Sequence, residues 1–168
     1  MAESLAPRRW YEGRVPPPVI DAACAALMWV LARALPGAQL WPMGNTIGDS
    51  AAVTIAALAL AAVGGTLALA GVAAFRRART TVNPMAPERA RALVTGGVYR
   101  FTRNPMYLGM LWVLAGWAVW LGNAAAWLGL PLSMALLTGL QIAPEERVLR
   151  ARFGAEFERY AARVRRWL

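Results

Sequence analysis

Arg103 and Asn104, set between Tyr99 and Tyr107 in the run TGGVYRFTRNPMYLG (95–109), and the adjacent acids Glu145 and Glu146 are the residues best suited to chemistry in this 168-residue chain. The run puts a polar, arginine-bearing hinge directly before an apolar segment, and the acids answer it further along. What that chemistry is not follows from absences. There is no histidine, and the single cysteine, Cys24, lies in an apolar stretch. Disulfide frameworks, zinc clusters, haem ligation by histidine and Ser-His or Cys-His nucleophiles therefore lack their usual parts, and no metal is expected. No GxGxxG follows a strand and no GxxxxGK exists, so nucleotide-binding loops are unsupported. Gly64-Gly65 reads as a close helix-packing position. No nucleophile–base pair is assigned.

Each segment alone also reads as an ordinary helix start. Asn104 is a good N-cap and Pro105 a good first helical residue. Pro144-Glu145-Glu146 places acids in a first turn, and Glu146 to Arg150 is a favourable i,i+4 pair.

The elements that must position these residues are membrane helices. Apolar types make up 58% of the chain, charged types 16%, and mean hydropathy is +0.41. A soluble domain has about a quarter charged residues. Ala51 to Phe75 runs 25 residues without a charge, roughly 37 Å of helix, enough to cross about 30 Å of hydrocarbon with tilt. Three more spans are predicted: Val19 to about Leu35, Met106 to about Leu121, and Ala124 to about Ile142. The last two are separated by only Gly122-Asn123 and form a tight hairpin. Trp120 and Trp127 flank that turn as interfacial anchors, with Trp41 at the same face. Asp21 and Arg33 fall near the ends of the first span, where they snorkel or pair with neighbours.

Charge sets the expected orientation. Every basic residue is arginine, and apart from Arg33 in the first span they gather in the N-terminal tail (Arg8, Arg9, Arg14), between Arg76 and Arg103, and after Pro144; the other two connections carry none. The positive-inside rule then puts both termini and the central loop in the cytoplasm, which requires an even number of crossings. The expected fold is thus all-α and integral to the membrane, with about four transmembrane helices. It divides into a tail (1–18), two leading helices (19–75) and a functional core (76–168). A net charge of +9 is assigned to anionic lipid headgroups rather than nucleic acid. Met1 to Pro18 lacks a cleavable signal pattern, so the first helix is expected to serve as its own insertion signal.

The connection from Arg76 to Asn104 is long enough to be functional. Pro87 to Val94 is predicted as a short helix ended by Thr95-Gly96-Gly97, and Thr80 to Pro84 as extended or turn-like. After the acids, Leu149, Phe153, Phe157, Tyr160, Val164 and Trp167 recur as one apolar stripe among arginines. This amphipathic helix either lies on the membrane or folds over the central loop and closes a pocket, and Gly154 allows a bend.

Taken together, TTVNP (80–84), LVTGGVYRFTRNPMYLG (93–109) and EERVLRARFGAEFERYAARVRRW (145–167) resemble the isoprenylcysteine carboxyl methyltransferase and phospholipid N-methyltransferase family of integral-membrane enzymes. The family's Arg-His/Asn-Pro-x-Tyr motif stands here as Arg103-Asn104-Pro105-Met106-Tyr107. The resemblance covers roughly Thr80 to Trp167; the first two helices match only in hydropathy.

The resemblance implies S-adenosylmethionine as cofactor, held on the cytoplasmic side by Tyr99, Arg103, Asn104, Pro105, Tyr107, Leu108, Glu145 and Glu146. Glu145 or Glu146 suits the donor's cationic groups, Arg103 its carboxylate, and Tyr99 or Tyr107 its adenosine. Methyl transfer is an in-line displacement in which the cofactor carries the hard chemistry, so no catalytic triad is needed. The acceptor is expected to be lipophilic and to enter sideways from the bilayer, with Gln141, Tyr160 and Arg163 on the substrate side. Gln141 stands where the prenylcysteine enzymes place a carboxylate-binding arginine, which disfavours a carboxylate acceptor and leaves a phospholipid amine or another small lipophilic amine, thiol or acid. Arginine- and alanine-rich composition points to a bacterial inner membrane. Two rival readings are an NADPH-dependent membrane reductase of the sterol type and a non-enzymatic membrane interaction protein.

Overall fold

The computed structural model describes residues 15–41, 51–80 and 90–168. The expectations placed on Arg8, Arg9, Arg14, on most of TTVNP and on Pro87 to Arg89 lie outside the described residues. Among the described residues the chain is helical, with one isolated bridge between Gln39 and Asn123 in place of any sheet. The helices are α1 (Pro17–Ala34), α2 (Ala51–Arg77), α3 (Pro105–Leu121), α4 (Gly129–Leu137), α5 (Ala143–Phe153) and α6 (Ala155–Arg163).

Among the described residues three helical stretches are long and apolar enough to cross a membrane, Pro17–Ala34, Ala51–Arg77 and Ala124–Phe153; Pro105–Leu121, of 17 residues, is a shorter apolar helix. The first three helices match the predicted spans to within two residues at each end. The fourth does not stop at Ile142. A 3-10 turn (Ala124–Leu128), α4, a π turn (Thr138–Ile142) and α5 follow without a break. Pro144 lacks an amide hydrogen and crowds the preceding turn, and the wider π turn just before it relieves both problems. Proline is therefore accommodated rather than ending the helix.

Packing between α2 and α3 rests on small residues. Ala57, Gly64 and Gly71 recur every seven residues on α2 and are its buried positions. A Cβ built on Gly64 would collide with the Gly109 carbonyl oxygen, one on Gly109 with that of Gly64, and one on Gly116 with that of Ala57. The two antiparallel backbones touch directly, as lipid-embedded helices do when dispersion must replace a hydrophobic driving force. Gly65, by contrast, meets nothing within 4 Å, so only half of the predicted pair is a packing position. The rest of α2 is mostly exposed apolar surface, including Ile55, Leu58, Val63 and Leu69.

On the other side, α1 buries Ile20, Cys24 and Met28, four residues apart: Cys24 and Met28 pack with Leu114, Ala118 and Leu121 of α3 and with Ala126 of the 3-10 turn, and Ile20 packs with Tyr107, Leu137 and Ile142. Asp21 pairs as expected: the Ser133 hydroxyl donates to its Oδ1 at 2.5 Å. Arg33 lies over the Trp29 ring, 5.5 Å from its centroid. At the hairpin, Asn123 accepts from the Ala125 amide and donates to the Leu35 carbonyl, and Trp41 sits against Gly122. The partners then define two ends of the bundle. Leu35, Gln39, Trp41 and Gly122 gather at one; Val15, Phe75, Arg103 and Glu145 gather at the other.

Candidate active site

The end that holds Arg103 also holds a cavity. Its floor is the start of α3, because Pro105 packs against Gly71 of α2 and so fixes where Asn104, Met106 and Tyr107 emerge. One wall is the segment Ala90–Val94, which is not the predicted helix: its residues are non-helical, and Ala90, Ala92, Leu93 and Val94 turn inward. The Arg91 amide donates to Thr80 Oγ1 at 2.8 Å, so this backbone is tied to the end of α2 instead of to itself. Phe75 meets Tyr99 edge to face at 5.4 Å. The opposite wall is Glu145, Glu146 and Leu149 of α5 with Phe157 and Tyr160 of α6. The enclosed space is about 80 Å³, several times the roughly 10–15 Å³ of probe-occupied volume that one water needs. That is room for part of a ligand.

Gly154 makes the last wall possible. It adopts φ +49°, ψ −124° between α5 and α6, a conformation that side chains strongly disfavour. The chain turns there, and α6 folds back over the loop. Phe157 is buried, and the Tyr160 hydroxyl donates to the Tyr99 carbonyl at 2.8 Å. The second of the two alternatives for the amphipathic tail, closing over the central loop, is the one adopted. The stripe ends as helix at Arg163, and Val164 to Leu168 continues as an irregular strap.

Glu146, only 7% exposed, is the hub of the polar network. Arg103 donates to its Oε1 through Nε (3.2 Å) and Nη2 (2.8 Å), and Arg166 donates to Oε1 (3.1 Å) and Oε2 (2.6 Å). Arg103 Nη1 also donates to the carbonyls of Ala161 and Val164, and its amide donates to the Arg165 carbonyl. Thr102 Oγ1 and Asn104 Nδ2 both donate to the Arg166 carbonyl, and the Trp167 ring nitrogen donates to Thr138 Oγ1. One guanidinium thus joins the loop, α5, α6 and the strap. Glu145 accepts from the Tyr107 hydroxyl at 2.6 Å.

Burial, with the neighbouring Tyr160 and Glu145, pushes the Tyr99 phenol well above its ordinary range; burial does the same to Tyr160, against the opposing pull of Arg103. Both stay protonated at physiological pH. The hydrogen bonds to Glu146 raise Arg166 further, against a smaller desolvation cost.

Of the residues singled out in the sequence, the structure brings Tyr99, Arg103, Asn104, Tyr107, Glu145, Glu146 and Tyr160 to the cavity. Pro105 and Leu108 are buried behind it and serve as support. Gln141 does not reach the cavity lining; it is buried against α1, with Nε2 donating to the Val15 carbonyl at 2.6 Å and Oε1 without a partner. Arg163 is exposed and donates to the Arg159 carbonyl. Sequence reasoning missed Phe75, Leu93, Val94, Met106 and Arg166. The first four are apolar residues indistinguishable in type from lipid-facing ones, and Arg166 was one arginine among seven along the tail. No group of three or more potential metal ligands occurs among the described residues.

Membrane-length apolar helices, with a largely apolar cavity that two carboxylates line at one end of the bundle, are the features of a helical membrane protein. The chain belongs to the phospholipid methyltransferase family, whose sequence model matches residues 52–156. That match begins in α2, earlier than the motifs quoted above, and ends in α6. An uncharacterised protein of Haemophilus influenzae is 48% identical over 63 residues, 38% of this chain and 100% of the relative. Two probable protein-S-isoprenylcysteine O-methyltransferases, from the indica and japonica subspecies of Oryza sativa, are each 32% identical over 112 residues. That is 67% of this chain and 59% of theirs. No solved structure matches the chain.

Proposed function

We propose that this protein transfers the activated methyl group of S-adenosylmethionine to a lipophilic acceptor resident in the membrane. The observation that carries the reading is the cavity itself. Two carboxylates, Glu145 and Glu146, and the aromatic residues Phe75, Tyr99, Tyr107, Phe157 and Tyr160 converge on one hollow at the end of the helices. Carboxylates fit a ligand with sulfonium and ammonium charges, and aromatic walls fit a purine.

When bound, the cofactor supplies a methyl group already activated for displacement. The protein's own residues then have three tasks. Glu145 meets the cationic part, and Glu146, held by Arg103 and Arg166, shapes the wall beside it. Tyr99, Tyr107 and Asn104 line the site, Pro105 and Leu108 hold the start of α3 beneath it, and the strap from Val164 with α6 excludes water. Because the Arg103 guanidinium is committed to Glu146 and to the carbonyls of Ala161 and Val164, its part is to build the site as much as to meet the ligand's carboxylate. On the acceptor side we assign Tyr160, within the cavity, and Gln141, whose buried Oε1 has no hydrogen-bond partner. Arg163, exposed on α6, fits a role at the surface.

Four crossings with both termini and the cavity on the cytoplasmic side of a bacterial inner membrane fit the arrangement of ends and the arginines beside it. The 17-residue α3, about 26 Å long at 1.5 Å per residue, crosses with help from its Gly122 turn and from the interfacial Trp120, Trp127 and Trp41. A phospholipid amine is the acceptor we favour. The test is to supply S-adenosylmethionine carrying an isotopic methyl to membranes containing the protein and to map which lipids acquire the label. Labelling of an extractable lipid supports the reading. Oxidation of NADPH with a sterol-like substrate and no methyl transfer would favour a reductase instead, and neither activity would leave an interaction protein.

A further inference from the structure

Phe101 is 75% exposed, the most exposed large apolar side chain among the described residues, and it does not lie on a lipid-facing helix. It follows the 3-10 turn Gly97–Arg100, where its amide donates to the Val98 carbonyl. Two contacts fix the level of that turn. Tyr99 meets Phe75 at the last turn of α2, next to Arg76 and Arg77, and Pro105 opens α3 four residues later. The turn therefore sits where α2 stops being apolar and becomes charged.

Arginines surround this level. Arg76, Arg77 and Arg100 are exposed, and so is Arg165, whose carbonyl is bonded to the Arg103 amide two residues from Phe101. Exposed Arg159 and Arg163 extend the same end along α6. The nearby acids do not offset this charge, since Glu146 is clasped by Arg103 and Arg166 and Glu158 pairs with Arg150, leaving exposed Glu156 against six exposed arginines. A bare aromatic ring on a turn, at the depth of a charge boundary and ringed by cations, is complementary to a single surface: the headgroup layer of an anionic phospholipid leaflet.

We propose that the Gly97–Thr102 turn is an interfacial anchor. Phe101 enters the boundary between headgroups and acyl chains, while Arg76, Arg77, Arg100 and Arg165 take lipid phosphates. Because the same turn carries Tyr99 of the cavity and leads into Arg103, anchoring it holds the cavity mouth at headgroup depth. The anchor stands whether or not the bound ligand is a methyl donor.

The test uses the full chain in nanodiscs with Cys24→Ser and a nitroxide on Phe101→Cys. Collision accessibility is compared for oxygen, which partitions into lipid, and for a water-soluble nickel chelate. In phosphatidylcholine containing phosphatidylglycerol the label should be several-fold better shielded from nickel than a free label in buffer, and raising phosphatidylglycerol should increase that shielding. Arg100→Gln with Arg165→Gln should weaken the response to phosphatidylglycerol several-fold, Arg76 and Arg77 remaining; each arginine near the surface corresponds to about a fivefold preference for anionic lipid. Arg100→Cys carries the same measurement if Phe101→Cys is not recovered folded. A label as open to nickel as free nitroxide in every lipid overturns the anchor. Shielding indifferent to both phosphatidylglycerol and the arginines overturns the recognition of anionic lipid.

Discussion

Removing Arg103 should cost far more than removing Arg166, although both arginines hold the same carboxylate. The Arg103 side chain is 14% exposed and Glu146 9%, whereas Arg166 is 38% exposed. Arg103 also serves the carbonyls of Ala161 and Val164, so its loss leaves the buried Glu146 carboxylate and two part-buried carbonyls under-satisfied. Breaking a buried ion pair from one side costs about 3–5 kcal/mol; Arg103→Met, which keeps the stem's volume, should fall in that range. Glu146→Gln preserves shape but strands the guanidinium, for a loss of roughly 2–4 kcal/mol. Arg166→Met should cost about 1 kcal/mol or less, because more than a third of it is open to solvent screening. In a double-mutant cycle, Arg103 and Glu146 should couple by about 1.5–3 kcal/mol. The assay is reversible unfolding in mixed micelles followed by far-ultraviolet circular dichroism. Coupling below about 0.5 kcal/mol, or a larger loss from Arg166→Met than from Arg103→Met, would refute the hub.

Three further outcomes are expected. Gly64→Leu should separate α2 from α3 and lower stability by about 3 kcal/mol or more, while Gly65→Leu next door should be neutral or slightly stabilising; equal effects in thermal melting would contradict the direct backbone contact. Tyr160→Phe should lose about 1–2 kcal/mol with its bond to the Tyr99 carbonyl, measured in the same unfolding assay. Because the phenols of Tyr99 and Tyr160 are raised, the fold prefers their neutral forms; that preference is fully present below the unfolded value near pH 10 and is lost as pH climbs beyond it. Stability should therefore fall above about pH 10, and Tyr160→Phe should shrink the fall.

Much of this was legible in the residues. The three leading helices follow from uninterrupted apolar runs, and Asn104-Pro105 and the Gly122-Asn123 turn mark boundaries that the backbone obeys. The cavity's polar members were recognisable only in combination, because Arg103-Asn104-Pro105-Met106-Tyr107 and Glu145-Glu146 each read alone as a helix start and together resemble the family's motif. Other features depended on tertiary context. Ala90 to Val94 has the composition of a helix but is tied to Thr80 and turned inward, so local propensity lost to packing. Pro144 read as a helix start because the π turn that accommodates it leaves no mark in a pattern of apolar residues. Gln141 and Arg163 were placed by position in a motif, and only the path of α4 and α6 reveals that neither side chain lines the cavity.

The central claim, that the hollow between the start of α3 and α5–α6 receives a cationic methyl donor, is tested most directly by equilibrium binding. S-adenosylmethionine is titrated calorimetrically into the protein in nanodiscs, alongside Leu93→Trp, which fills the hollow, and Glu145→Gln and Glu146→Gln, which remove its charges. The unaltered protein should bind saturably. Leu93→Trp should abolish binding, and at least one glutamine variant should weaken it about tenfold or more, the loss of one charge-assisted contact, with helicity retained. No binding by the unaltered protein, or equal binding by all four folded proteins, would contradict the account.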